Sequence, residues 1–403
     1  MRIFKNHIFS VKALTPVRYD ASNVIEITSP HYYLNLDLKR GSPRLVIFFG
    51  TDFHSLPNSC DKEGFIKKTN DCLDYIRKGC SGLQLIYRPH PAEKNEYSFL
   101  NLRGFVISHD RMPGELFLYR NMGGIAHVFS ALSGVSVSAY QQGFNSHVFL
   151  DLFENSLKES MAFYREYFKS LPSDCFIRDF DQPLTPNKKN LQKDAVIEDA
   201  FREIVSISRG DIWWITNDPK MAIPMLGFNK LIKSLDPDRK IRLILIKHRR
   251  WDRINLEDIS SSFDQIIIFP RLFASLNPIR ILKSIVEAYK IKNLPIRRDD
   301  IILSSVYFDF IENCFISSFK HNYKVQIMEG IFYDFNYSSD SLERFNDVDF
   351  KVTKSSFLYN LILEPLLRLN RTIFMYYKDG KLININRYIL PIDELYNKIL
   401  VLR

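Results

Sequence analysis

The chain has 403 residues, with 55 Lys and Arg against 46 Asp and Glu, and therefore a formal net charge of +9. Its 46% hydrophobic and 25% charged residues are ordinary for a globular protein and exclude wholesale disorder, while 15 glycines exclude a collagen-like chain. This length predicts two or three domains. The positive charge favours an anionic partner, such as a nucleotide, an acidic glycan, an anionic membrane or a nucleic acid.

Cysteine content and hydropathy bear on the compartment. The five cysteines are an odd number and include no Cys-x-x-Cys pair, so we expect neither a disulfide framework nor a zinc site. The amino-terminal segment has no apolar stretch long enough for a signal peptide, and no run approaches the roughly 18 apolar residues of a membrane-spanning helix. We therefore expect a cytoplasmic protein and leave peripheral attachment to the inner membrane open.

In the first half of the chain, short apolar runs alternate with helical patterns. Apolar runs bounded by polar residues, Gly or Pro predict strands at 45–49, 83–87, 105–107 and 127–129. Apolar residues at helical spacing and the flanking sequence predict helices at 63–78, 115–120 and 133–142. Such an alternation predicts a mostly parallel sheet with helices on both faces.

The polar stretch 174–193 contains two prolines and is interpreted as an interdomain connection. Beyond it, strands are predicted at 212–215, 241–246, 265–269, 301–304, 324–328 and 372–377, with helices at 221–235, 278–290 and from Ser355 onwards. We predict an α/β protein with two Rossmann-like domains facing a cleft. The predicted domain ranges are 1–180 and 195–403, and the second ends in a helical tail.

The first candidate motif is Tyr87-Arg88-Pro89-His90-Pro91, which directly follows a predicted buried strand. In open α/β sheets, ligands bind outside the carboxyl ends of the strands, where Arg88 and His90 would meet a phosphate. The prolines hold both residues in extended conformations. The alternative is a loop histidine that only bonds a backbone carbonyl.

A second set of candidates follows later strands of the same half. Ser130 and Ser133 lie between a predicted strand and a predicted helix, where hydroxyls and free N–H groups can bind an anion. Glu115, beside Pro113 at a helix start, is suited to accept bonds from ribose hydroxyls. Ordinary helix capping explains these serines and this glutamate equally well.

In the second half, Glu329 ends a predicted strand and precedes Gly330, which would place a carboxylate at the edge of a sheet. A general base there would remove the proton of an acceptor hydroxyl. A solvated turn residue is the alternative.

Taken together, these motifs resemble those of bacterial sialyltransferases and the related polysialyltransferases and Kdo transferases. The matching segments are Arg88-Pro89-His90-Pro91, Pro113-x-Glu115, the serines from Ser130, and Glu329-Gly330. The resemblance implies a GT-B fold and a CMP-activated 2-keto sugar acid as donor. It also implies that 1–180 binds the nucleotide of the donor and that 195–403 binds the acceptor. It covers 83–143 well and 300–337 weakly.

Roles then follow from the resemblance. It implies that His90 is the phosphate-contacting acid, that Ser130 and Ser133 bind phosphate, that Glu115 holds ribose, and that Glu329 is the catalytic base. Gly50, Asp52 and Arg88 are further candidates for contacts with the donor. In most such enzymes the acidic motif precedes the His-Pro motif, so the domain order would be swapped here. Asp52, His54 and Asp334 therefore stay open as alternative bases.

The expected reaction needs no metal and no cofactor besides the CMP-sugar donor. A departing CMP carries one phosphate monoester, which a histidine and helix N–H groups can stabilise. None of the three Asp-x-Asp sequences, at 179–181, 236–238 and 347–349, directly follows a predicted strand. One acid and one base on opposite sides of the anomeric carbon predict that the configuration at this carbon is inverted. The resemblance implies a role in surface polysaccharide (capsule) or lipooligosaccharide synthesis.

Other features concern the acceptor and the alternatives. The basic stretches 238–253 and 290–298 suit a glycan or glycolipid acceptor or an anionic membrane, although they also suit a solvated rim. Trp213, Trp214 and Trp251 are candidates for stacking on sugars, with core packing as the alternative.

CMP-Kdo is an alternative donor, and a non-catalytic nucleotide- or glycan-binding protein is an alternative class. Nucleic-acid binding is disfavoured, because the aromatic residues lie within apolar runs.

Overall fold

The computed structural model describes residues 24–28, 30–34, 43–53, 56, 60–90, 93, 97–110, 112–157, 160–187, 194–247, 251, 255–272, 275–305, 310–329, 354–369, 373–378, 381–386 and 396–402. In chain order, the elements up to residue 193 are β1 Val24–Ile27, α1 His31–Leu34, β2 Leu45–Phe49, α2 Lys62–Gly79, β3 Gln84–Arg88, β4 Phe105–Ile107, α3 Gly114–Arg120, β5 Ile125–Ser130, α4 Val135–Gln141, β6 Asn145–Val148, α5 Glu154–Leu157 and α6 Met161–Tyr167.

The remaining elements are α7 Ala195–Ile207, β7 Ile212–Thr216, α8 Ala222–Leu235, β8 Ile241–Lys247, α9 Glu257–Ser260, β9 Gln265–Pro270, α10 Pro278–Lys292, β10 Ile301–Ser304, α11 Phe310–Ser318, β11 Tyr323–Glu329, α12 Lys354–Leu366, β12 Ile373–Lys378, β13 Lys381–Asn386 and β14 Lys398–Leu402. The described chain divides into two compact units, which are taken in turn.

The first unit comprises the described residues of 29–193 together with Ala222–Phe228. Its five strands are all parallel, in the order β4-β3-β2-β5-β6. Strand β2 is central and nearly all buried, because its sequence LVIFF is apolar at every position and both sheet faces are covered. The chain winds outward from β2 through β3 to β4, and then restarts with β5 on the other side of β2. This reversal makes a switch point between β2 and β5.

Helix α2 shows how the sequence forms the covering layer of this unit. Asp61 caps it by accepting a hydrogen bond from the backbone N–H of Gly64 at 3.0 Å. Its buried positions, which include Phe65, Leu73 and Ile76, recur at helical spacing and pack in one core with Phe48 and Phe149. The helix therefore forms because its apolar stripe matches the apolar face of the sheet.

The second unit comprises the described residues up to Thr28, Asp194–Met221 and the described residues from Asn229 onwards. Its seven strands are also parallel, in the order β1-β14-β11-β10-β7-β8-β9. The chain runs outward from β7 through β8 to β9 and restarts with β10, so this sheet has its own switch point between β7 and β10. The hairpin β12–β13 is antiparallel.

Two tryptophans anchor the second unit. The Trp213 and Trp214 side chains are fully buried, and each indole N–H has a partner: the Asp300 carboxylate at 3.0 Å and the Asn229 amide oxygen at 2.8 Å. Buried indoles need such partners, because an unpaired N–H away from water is costly. Neither indole can stack on a sugar, so the suggestion of a sugar-binding role for this pair is wrong. Trp251 is also buried.

The predicted α/β class is confirmed: the five-stranded and seven-stranded sheets are parallel and have a Rossmann-like winding. The strands predicted from LVIFF, LQLIY and the runs in the second half are present within one or two residues. Strands β1, β6, β13 and β14 and helices α1, α5, α6, α7, α9 and α11 were not predicted. The predicted range 1–180 placed strand β1 in the first domain, whereas β1 pairs with β14 in the second sheet.

Two further features concern chemistry and membranes. All five cysteines are free and buried. Among the described residues, no helix has the length and apolar character needed to span a bilayer.

Candidate active site at the carboxyl edge of the first sheet

Seven of the eight predicted site residues lie in the first unit, at or after the carboxyl ends of its strands. Phe49, Arg88 and Ser130 occupy matching register positions at the ends of β2, β3 and β5. Gly50 and Asp52 follow β2, His90 follows β3, and Ser133 follows β5. Glu115 lies in the first turn of α3. The parallel arrangement therefore brings these polar groups to one edge, beside the switch point between β2 and β5.

Arg88 is the most unusual of these side chains. It is only 3% exposed, and its guanidinium lies over the ring of Phe117, with 4.2 Å between the guanidinium carbon and the ring centroid. Its Nη2 donates to the carbonyl of Met112, whereas its Nη1 has no hydrogen-bond partner among the described residues. Burial lowers the pKa of Arg88, and the charges of Asp110 and Glu115 oppose that effect.

A buried guanidinium N–H without a hydrogen-bond partner destabilises the folded protein. Its planar fork suits the oxygens of phosphate or carboxylate groups, and stacking on an aromatic ring holds it in place. The chemistry of Arg88 is therefore that of an anion ligand at the edge of the sheet.

A carboxylate that the sequence reasoning missed, Glu93, lies beside this position. Its Oε1 accepts from the hydroxyl of Tyr87 at 2.9 Å, and its Oε2 accepts from the backbone N–H of His90 at 2.8 Å. Burial raises the pKa of Glu93 to about 7; the bonds from His90 and Tyr87 oppose this rise, and the charge of Asp52 adds to it. The only sequence signal for it was an acidic residue three positions after His90, within the Pro-His-Pro loop.

Gly50 is required by this arrangement. A Cβ atom at position 50 would lie 2.5 Å from the hydroxyl oxygen of Tyr87 and 3.1 Å from Oε2 of Glu93. Tyr87 is fully buried and cannot move away easily. The glycine thus allows the β2 backbone to pass close to the Tyr87–Glu93 pair.

The serine loop after β5 is built largely by its own hydroxyls. Ser130 is fully buried, and its hydroxyl bonds that of Ser136 at 2.7 Å. The N–H of Ser133 donates to Oγ of Ser130 at 3.3 Å, and Oγ of Ser133 accepts from the N–H of Val135 at 3.4 Å. Because Ser130 is fully buried, it can contact a phosphate only if this loop moves, whereas Ser133 is partly exposed.

The remaining candidates are exposed at this edge, lie in the second unit or fall outside the described residues. His90 is exposed, and its backbone N–H is bonded to Glu93. Glu329 is the last residue of β11 in the second unit, and its side chain lies outside the described part of the chain. Gly330, Asp334 and His54 also lie outside the described residues.

The acidic pairs considered as metal ligands have other contacts or are not described. Asp236 accepts from Nε of Arg239 at 2.9 Å, and Asp179 accepts from the N–H of Asp181 at 3.0 Å. The sequence 347–349 lies outside the described residues. Among the residues that the structure describes, no three His, Cys, Asp or Glu side chains form a metal-binding group. Transfer without a metal stays a prediction.

The basic stretch 238–253 contributes partly to the fold. Arg239 is buried and donates to the carbonyls of Gly210 and Val205, and Arg242 pairs with Asp211 at 2.7 Å. These charges are therefore engaged within the unit.

Comparison with protein-family models, with curated proteins and with solved structures gave no match for this chain.

Proposed function

We propose that this protein is an inverting glycosyltransferase that moves a 2-keto sugar acid from its CMP donor to a glycan acceptor. The proposed sugar is sialic acid. The observation that carries the proposal is the buried guanidinium of Arg88, whose Nη1 has no partner among the described residues. It lies at the strand end where the Arg-Pro-His-Pro motif resembles the phosphate-contacting motif of bacterial sialyltransferases. A GT-B arrangement of the two Rossmann-like units belongs to this proposal.

In the proposed reaction, the CMP phosphate lies against Arg88 and His90, which offset the charge that grows as the glycosidic bond breaks. Ser133 adds a hydroxyl to the phosphate site, and Glu115 accepts bonds from the ribose. Ser130 supports the loop from within, and it contacts the phosphate only if the loop opens. No metal is required, because the leaving group is a single phosphate monoester.

The acceptor hydroxyl loses its proton to a carboxylate on the opposite side of the anomeric carbon, so configuration inverts. Glu329 is the proposed base and Asp52 the alternative. The proposed setting is the cytoplasm beside the inner membrane, in capsule or lipooligosaccharide synthesis. CMP-Kdo is the alternative donor, since both sugars are 2-keto acids on the same nucleotide.

A second candidate is a nucleotide- or glycan-binding protein without catalytic activity. The complete burial of Ser130 favours it, since this serine cannot reach a phosphate in the present conformation of its loop. Incubation with CMP-sialic acid or CMP-Kdo separates the two candidates. Release of CMP with an inverted product supports the transferase, and binding without turnover supports the binding protein.

The nucleotide site is tested by thermal unfolding with CMP, UMP or GMP. A ligand that binds only the folded state raises Tm by mass action. We expect CMP to raise it most, and Arg88→Met to weaken CMP binding at least about ten-fold, since a hydrogen bond to a charged group is lost. The matched control is Arg77→Met, which removes an arginine that also stacks on a ring, that of Phe105, and donates to backbone carbonyls.

The control is expected to bind CMP as the native protein does. The nucleotide proposal is wrong if CMP leaves Tm unchanged, or if Arg88→Met and Arg77→Met bind CMP equally well.

A further inference from the structure

Exposed apolar side chains are concentrated on two helices of the second unit. Of the twelve large hydrophobic residues that are exposed among the described ones, seven lie on α10 and α12. Single exposed apolar residues are normal, but a cluster of this size marks a contact surface. This clustering therefore needs a partner to explain it.

Helix α10 carries the larger part of the cluster. Ile279, Leu282, Val286 and Tyr289 are 78%, 61%, 45% and 57% exposed. They are separated by three, four and three residues and so lie on one face of the helix. The opposite face, which includes Ala288, is buried against the sheet. The helix is thus apolar on both its inner and outer faces.

Helix α12 extends this surface, because it packs directly beside α10. The hydroxyls of Ser284 and Tyr359 lie 2.5 Å apart, and Nζ of Lys292 donates to the carbonyl of Leu367 at 3.1 Å. On its outer side α12 exposes three apolar residues at intervals of four: Leu358, Ile362 and Leu366, at 40%, 47% and 61%. We call these seven side chains the α10–α12 face.

The charges around the α10–α12 face are mainly positive. Arg280, Lys283 and Lys290 are exposed on α10 next to the apolar stripe. The only acidic residue of the helix, Glu287, is buried and bonded to Lys290 at 2.8 Å. An apolar stripe with a basic flank is the pattern of helices that lie in the headgroup region of anionic bilayers.

We propose that the α10–α12 face docks this protein on an anionic membrane surface. Its apolar side chains enter the boundary between headgroups and acyl chains, while the basic flank meets the lipid phosphates. This proposal does not depend on the proposed transferase activity, because it concerns different residues in the other unit.

A second copy of the chain fits this face less well. A two-fold symmetric interface sets the same patch against itself, so it would bring the basic flanks of both copies into one contact. Like charges at close range oppose such pairing, whereas an anionic surface complements them.

The test is flotation of the full chain with vesicles of phosphatidylcholine, with or without one third phosphatidylglycerol. We expect binding only to the anionic vesicles, with loss of binding at high salt. Ile279→Gln with Leu282→Gln, and separately Arg280→Gln with Lys283→Gln, should each weaken binding about ten-fold or more. All four positions are exposed, so the variants should keep the native Tm.

The matched control is Val196→Gln with Ile207→Gln, which alters two exposed apolar residues of α7 in the same unit. It should bind as the native protein does. The proposal is overturned by absence of binding, by equal binding to neutral vesicles, or by equal losses in the control and the α10 variants. It is also overturned if sedimentation shows a dimer that Ile279→Gln with Leu282→Gln dissociates.

Discussion

Arg88 and Glu93 lie five residues apart at the end of β3, and burial acts on both in the direction of the uncharged form. It lowers the pKa of the guanidinium and raises the pKa of the carboxyl to about 7. Arg88 remains charged, because even a large shift leaves an arginine protonated at neutral pH. Glu93 instead changes charge near neutrality, so the charge at this edge depends on pH.

The raised pKa of Glu93 predicts a pH dependence of stability. Between about pH 4.5 and 7 the folded protein holds a proton that the unfolded chain has released, so the free energy of unfolding falls as pH rises through this window. In the native protein this fall in the free energy of unfolding should be on the order of 1–3 kcal/mol, and we expect Glu93→Gln to abolish it. Urea denaturation from pH 4 to 8 measures the change. Above pH 7 the contribution of Glu93 no longer changes.

The matched control for this measurement is Glu154→Gln, which removes an exposed carboxylate of the same unit that pairs with Arg165. It should leave the slope between pH 4.5 and 7 as in the native protein. An unchanged slope in Glu93→Gln would contradict the assignment of the titrating group.

At the scale of elements, helix starts show how short signals in the sequence become structure. Asp61, Asp194 and Asn277 each stand before a helix and accept a backbone N–H of its first turn. Asp194 does more than cap α7: its Oδ2 also accepts from the N–H of Thr28 at 3.1 Å and from its hydroxyl at 2.8 Å. It therefore ties the end of β1 to the start of α7.

Asp194→Ala should destabilise the protein by about 1–2 kcal/mol, since it removes both a helix cap and the bonds to Thr28. Burial acts to raise the pKa of Asp194, but the hydrogen bonds from Thr28 and Val196 outweigh it, and the net pKa is lowered. Its contribution is therefore present above about pH 4 and is lost as pH falls further. Thermal unfolding at neutral and acid pH measures both effects.

Asn277→Ala is the matched comparison, because Asn277 caps α10 through Oδ1 without a charge. It should cost about 1 kcal/mol at either pH. A loss in Asp194→Ala no larger than that in Asn277→Ala would mean that the bonds to Thr28 contribute nothing.

At the scale of the whole molecule, each unit holds a parallel sheet with a switch point at its centre. In the first unit the carboxyl edge beside that point carries the anion-binding candidates around Arg88. In the second unit, β11 lies two strands from β7 and ends at Glu329. The proposed reaction needs a base as well as a phosphate site, so the question is whether both units contribute.

Two matched variants answer it. If Glu329 is the base, Glu329→Gln should abolish transfer, about a 10²–10⁴-fold loss in kcat, while the Tm shift caused by CMP remains. Asp52→Asn should then reduce transfer far less. The reverse result would place the base in the first unit. Native activity in both variants would exclude both carboxylates as the base.

The sequence predicted the sheets well, because strands such as LVIFF in β2 are apolar at every position and read as buried. It also placed Gly50, Arg88 and Ser130 at strand ends, since a parallel sheet gathers the residues that follow its strands. Strand β6, with the sequence NSHV, was missed because polar residues gave it no apolar pattern, although all but the first are buried.

Only the tertiary structure decided the remaining features. Strand β1 pairs with β14 near the other end of the chain, and a pairing of that separation has no local signal. The inward hydroxyl of Ser130, the ring beneath Arg88 and the carboxylate of Glu93 likewise depend on neighbours brought together by folding. Local pattern fixes which residues prefer burial, but hydrogen-bond partners and charge shifts depend on distances that only the packed chain defines.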